Sequence, residues 1–277
     1  MNSSFSNSTQ NVMNSGLMTA TVVCVVSVQA FNFFVGLPLN IYIIRLLVSK
    51  NGGVDVCVVF ALNHVVSEIL FCLVAPLYTV CIISLEICVG PLLGFWLGIT
   101  LPARYLFPCW VSVERYVAVI HPVTFLRFKP LRYRVACSSV AWICALSLGI
   151  ASMVTFPGMP YNAFGALYLF IFLLDSFCCI GILKGLLRPG PGDREGNREE
   201  MNTAKKKAFK VVSLNLVIFL IQIIPVALSF GLLGLIPRDE FKLAVAIGLD
   251  INILGGFIHP FFVLHRAGKL TFIKCCK

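Results

Sequence analysis

Charged residues are scarce in this chain. Asp, Glu, Lys and Arg make up 12% of its 277 residues, where a soluble domain carries roughly a quarter. Together with 58% hydrophobic residues and a mean hydropathy of +0.92, that shortage excludes an ordinary water-soluble fold. Stretches of about 10 residues with alternating polarity, the mark of a transmembrane barrel, are missing too. The chain has no HExxH helix, no P-loop and no CxxC pair set in a metal-binding loop, and no nucleophile–base pair stands out. Nothing in it implies an enzyme, a cofactor or a metal. Internal repeats are absent, which weakens a transporter built of inverted halves. Residues 1–16 carry no charge at all. Lacking a basic n-region, they do not read as a cleavable signal peptide, and the first apolar segment is expected to serve as an uncleaved anchor.

Long apolar runs are what the chain does have. A helix needs about 20 mostly apolar residues to cross the hydrocarbon core, and seven segments qualify: 18–47, 55–84, 89–119, 135–156, 165–187, 208–235 and 241–264. The expected fold is an all-α membrane protein, a seven-transmembrane-helix bundle with a short amphipathic C-terminal helix. Of the 22 Lys and Arg residues, all but Arg104, Arg238 and Lys242 fall in four stretches, within 45–50, 115–134, 184–210 and 266–277. The positive-inside rule puts those stretches in the cytoplasm. The net charge of +10 is then a topology signal and implies no nucleic acid.

On this topology residues 1–16 are an extracellular tail, 17–264 the membrane domain, and 265–277 a cytoplasmic amphipathic helix and tail with Leu270, Phe272 and Ile273 on its apolar side. Sequons make Asn2 and Asn7 glycosylation candidates, Asn7 being farther from the terminus. Cys275 and Cys276 are juxtamembrane and candidates for palmitoylation; two unmodified cysteines are the plain alternative. Most of the 12 cysteines lie within spans, where cysteine is a small apolar packing residue.

The third apolar segment ends on Glu114-Arg115-Tyr116, followed by Val119-Ile120-His121-Pro122. Asn40 sits in Gly36-Leu37-Pro38-Leu39-Asn40, the second segment holds Asn63 to Glu68, and the fourth holds Trp142. Ala208-Phe209-Lys210 and Pro225 mark the sixth, and His259-Pro260 the seventh. In this order, over nearly the whole chain, these landmarks resemble those of rhodopsin-like (class A) G-protein-coupled receptors. Residues 129–132 and 188–192 are most similar to the branch holding purinergic, protease-activated and some lipid receptors.

The resemblance implies a multi-pass plasma-membrane receptor, N-terminus extracellular and C-terminus cytoplasmic, that passes an extracellular ligand signal to a heterotrimeric G protein. Glu114, Arg115, Tyr116, Pro225 and Pro260 would be its coupling and activation residues. Glu114 would hold Arg115 until activation frees it. Pro225 removes a helix hydrogen bond and supplies a hinge. Without the family, Glu114 and Arg115 read rather as an interfacial charge pair capping the span. Residues 193–200 read as a solvated linker into the sixth span, and Lys205 to Lys207 as either a G-protein contact or an anchor to membrane lipids.

Glu68, Arg104, Asp175 and Asp250 lie inside spans, where an unpaired charge is expensive. Glu68 matches the family position whose acid binds sodium. Arg104 stands eleven residues before Arg115, about three turns away, where a small polar residue is usual. We expect its guanidinium to replace the ion and pair with Glu68, with Asn40 and His259 nearby. Alternatively, Arg104 reaches another acid or snorkels. Asp175 and Asp250 have no assignable partner.

The family pattern is broken elsewhere. Gly90 stands where a cysteine is expected, and residues 156–167 supply no partner cysteine. Ile171, Cys179, Ile223 and Val263 replace the expected proline, tyrosine, aromatic and tyrosine. A second reading is therefore a non-signalling seven-helix relative, acting as a partner or trafficking subunit. Leu97 and Ile253 exclude amine and retinal ligands, and residues 226–236 offer no basic group for a nucleotide. A lipid or small hydrophobic molecule remains, or a peptide touching Arg238, Asp239, Glu240 and Lys242.

Overall fold

The computed structural model describes residues 19, 21–49, 58–84, 90–128, 130–156, 160–187, 195–231 and 235–266. Almost all of them are helical. In lipid the backbone must satisfy its own hydrogen bonds, which a helix does within one segment. Helix α1 covers Thr21–Val48, with a π turn at Asn32–Gly36. There follow α2 (Val59–Ser84), α3 (Gly90–Ile120), α4 (Pro122–Phe128), α5 (Leu131–Val154), α6 (Tyr161–Leu187), α7 (Glu195–Gly231), α8 (Arg238–Gly256) and α9 (Ile258–Arg266). Helices α1, α3, α5, most of α6 (Tyr161–Gly185) and the Lys205–Ser229 part of α7 are long and apolar enough to cross a bilayer. Two shorter apolar helices, Val59–Val74 and Ala246–Phe262, accompany these five.

Helix α3 is the axis of the molecule, packing on α2, α5, α6 and α7. Of its most apolar stretch 67% is buried, against 22–28% for the other four. The others leave outward faces such as Val140, Ile143, Phe170, Leu173 and Leu228 bare, as a lipid solvent requires. Small residues bring α3 and α5 together: a Cβ on Gly98 would lie 2.7 Å from the Gly149 Cα. Such close approach replaces the hydrophobic drive that lipid removes. Around it pack Ile99, Ala103, Phe107, Ala141, Ala145 and Ile171.

Prolines place several helix ends. Pro130 and Pro237 precede α5 and α8 with extended ψ values of 142° and 149°. Pro260 has no N–H for the Gly256 carbonyl, and its ring would crowd it. The α8–α9 helix accordingly breaks at Phe257.

The expected linker over 193–200 is corrected from Glu195 onward: α7 runs unbroken from there into the sixth apolar segment. Glu, Arg, Lys and Met are good helix formers, and their polarity did not end the helix. Lys205 Nζ donates to the Gly185 carbonyl at 3.2 Å, a cation at the negative end of α6. The segment expected to start at 135 starts at Leu131. Residues Arg238 to Lys242, expected as outer peptide contacts, form the first turn of α8. Asn2, Asn7, Cys275, Cys276 and the terminal segment beyond Arg266 lie outside the described residues.

Candidate functional site

Glu68 of α2 and Arg104 of α3 meet at the centre of the helix bundle. Arg104 Nε donates to Glu68 Oε1 at 2.8 Å, and the two side chains are 1% and 8% exposed. Arg104 Nη1 donates to Asn252 Oδ1 of α8 at 3.1 Å, and the Phe71 ring centroid lies 4.0 Å from its Cζ. Asn252 in turn donates to the Tyr105 hydroxyl and, at 3.1 Å, to the Gln222 carbonyl. Gly256 makes the room, since a Cβ there would stand 2.4 Å from Arg104 Nη2. A buried guanidinium is tolerable only when paired and hydrogen-bonded, and this one is both.

The other two residues expected near this pair make no hydrogen bond to it among the described residues. Asn40 Nδ2 donates to the Gly36 carbonyl at 2.9 Å, one turn back along α1 at the end of the π turn. The amide that reaches Arg104 is that of Asn252, which lies across the bundle on α8. His259 stacks edge-on against His64 with centroids 4.5 Å apart. It borders a cavity of about 20 Å³, shared with Glu68, Arg104, Asp175 and Gln222. That volume holds about one water. Sequence reading missed Asn252, Tyr105, Gln222 and Gly256 as parts of this cluster. A glycine pair and an asparagine inside an apolar span were the available signals for two of them.

The end of α3 differs from expectation. Glu114 takes its hydrogen bond and ion pair from Arg134 of α5, at 2.5 Å, not from Arg115. Adjacent residues on a helix point about 100° apart, so they do not face each other. Arg134 faces Glu114 across the α3–α5 contact. Its Nη1 has no hydrogen-bond partner, and the Phe125 ring lies 6.0 Å away. Arg115 is half-buried and makes no hydrogen bond or ion pair among the described residues. Tyr116 packs on Phe177 and His121, and Gly181 clears space for its ring.

Trp142 Nε1 donates to Asn63 Oδ1 at 2.8 Å, tying α5 to α2. Pro225 lies inside α7, and its carbonyl accepts from Ser229 Oγ at 2.8 Å. Gly248 lets α8 approach there, since a Cβ would be 3.0 Å from that same carbonyl oxygen. Asp250 accepts from the Cys24 thiol at 3.2 Å. Asp175 sits beside Ser112 and Cys109, with Oδ1 unpartnered.

A second cavity, of about 450 Å³, opens among α1, α2, α3, α6, α7 and α8. Phe71, Leu97, Leu101, Phe164, Tyr168 and Ile253 form much of its wall, and Gln29 and Asn252 are its amides. Phe71 and Asn252 belong both to this wall and to the surroundings of Arg104.

No family model matches the chain. The G-protein coupled receptor homolog Q2/3L of sheeppox virus (strain KS-1) is 24% identical over 275 residues, which span 86% of this chain and 69% of that protein. The type-2 angiotensin II receptor of Meriones unguiculatus is 24% identical over 266 residues, spanning 83% and 72%. Over most of its length the chain is thus similar to rhodopsin-like receptors.

Proposed function

We propose that this chain is a seven-span plasma-membrane receptor, N-terminus outside, that transmits an extracellular ligand signal to heterotrimeric G proteins. The similarity to a receptor homolog and a receptor, each over more than four-fifths of the chain, carries this reading. The helices on α2 and α8–α9 complete the seven crossings, shortened in apolar length by Asn63, His64 and Glu68 in one and by Asp250 and Asn252 in the other. Arg115 is the coupling residue, with Glu114 and Tyr116 shaping its surroundings. The packed Pro225–Gly248 contact and the break before Pro260 are the points where the helices re-angle. The polar cluster of Glu68, Arg104 and Asn252 occupies the place of a sodium ion, so ligand response is insensitive to sodium. Residues 1–16 form the outer tail, glycosylated at Asn7 in preference to Asn2. Residues 265–277 form the inner amphipathic segment, palmitoylated at Cys275 and Cys276.

The test is basal activation of all four Gα classes by wild type and Arg115→Ala at matched surface expression. Basal signalling that falls at least about 10-fold in the variant supports the receptor. Wild-type silence, with or without added ligand, would overturn it. A non-signalling partner or trafficking role is favoured by one observation: Glu114 is engaged by Arg134, leaving Arg115 outside the pair expected of a working receptor.

A further inference from the structure

We infer that the 450 Å³ cavity binds a neutral amphiphile, a hydrocarbon body bearing one uncharged hydrogen-bonding head held by Gln29. The inference deepens the receptor reading and rests on it for what binding achieves. The volume falls within the range of about 300–1,000 Å³ typical of small-molecule sites. Apart from Gln29 and Asn252, the described residues of its wall are aliphatic or aromatic, and none of them is charged. An ammonium or carboxylate seated there would lose its water and gain no counter-charge.

The polar groups of the wall are not equivalent. Asn252 is already engaged by Arg104, Tyr105 and Gln222. Asp250, nearby on α8, holds Cys24 and does not line the cavity. Gln29 is 8% exposed, borders the cavity, and has no hydrogen-bond partner among the described residues. Its amide is therefore free to pair with a ligand head that both donates and accepts. The ligand body would lie on Phe71, the same ring that covers the Arg104 guanidinium.

The full chain in lipid nanodiscs would be titrated with three probes sharing one oleyl chain: oleamide, oleate and oleylamine. Binding is read as a saturable shift in melting temperature. Oleamide should bind at least about 10-fold more tightly than the anion or the cation. Gln29→Leu should weaken it about 5-fold, the worth of one hydrogen bond. Leu97→Trp, which fills the cavity, should abolish the saturable shift; should that variant fail to fold, Gln29→Leu decides. Preference for oleate or oleylamine, no saturable oleamide binding, or an oleamide shift untouched by Gln29→Leu overturns the inference. Oleamide binding without activation of any Gα class would remove the receptor reading and leave the site. Basal activation lost in Arg115→Ala, without oleamide binding, would do the reverse.

Discussion

Glu68–Arg104 and Glu114–Arg134 are both glutamate–arginine pairs between helices, and they are almost equally closed off. Their side chains are 8% and 1% exposed in the first pair, 9% and 5% in the second. Their surroundings differ. Arg104 has a carboxylate, an amide oxygen and an aromatic face around it. Arg134 has one carboxylate and a more distant ring at 6.0 Å, leaves Nη1 without a partner, and shares the neighbourhood of that carboxylate with Arg115. Burial alone therefore does not separate a fixed pair from an exchangeable one. What separates them is whether each donor is satisfied and whether a rival charge stands within reach.

The largest expected effect tests the first half of this contrast. Arg104→Met should destabilise the folded chain by about 3–5 kcal/mol, because Glu68 is left buried and unpaired. Joining it to Glu68→Met should recover most of that loss in thermal melts of the purified protein. Non-recovery would mean that Asn252 and Phe71, rather than the ion pair, hold the centre. Gly256→Ala should cost about 1–3 kcal/mol by overpacking, since the new Cβ meets the Arg104 guanidinium. The same variant in the Arg104→Met background should be nearly neutral, and additive losses would show that the glycine serves the helix break instead. The smallest effect belongs to the second pair. Arg134→Met should cost about 1 kcal/mol, because Arg115 can take over Glu114, and basal signalling should fall as it does. Unchanged or raised signalling would show that Arg115 is not released by Arg134.

Much of the first pair was legible because a bilayer allows few solutions for a buried charge. Glu68 and Arg104 were singled out as scarce charges in apolar spans, and the structure joins them. Asn40 was placed with them from the family position, and the Gly36 carbonyl draws its side chain elsewhere. The partner of Glu114 was misread because proximity in sequence was taken for proximity in space. The helical stretch from Glu195 was misread because polar composition was taken for a linker.

Hydropathy and the uneven placement of Lys and Arg are local properties, and lipid converts them directly into helices and their expected orientation. The sequence by itself therefore determined that this is a helical membrane chain, where its long apolar helices run, and that Arg104 is a charge inside an apolar span, expensive unless paired. Only the tertiary structure decided that Asn252 and Phe71 complete that pair, that Arg134 takes Glu114, and that a 450 Å³ apolar cavity opens beside Gln29. Those outcomes depend on how each helix is rotated and how closely it approaches its neighbour. Small residues such as Gly98, Gly149 and Gly256 set that approach by contacts between segments far apart in the chain.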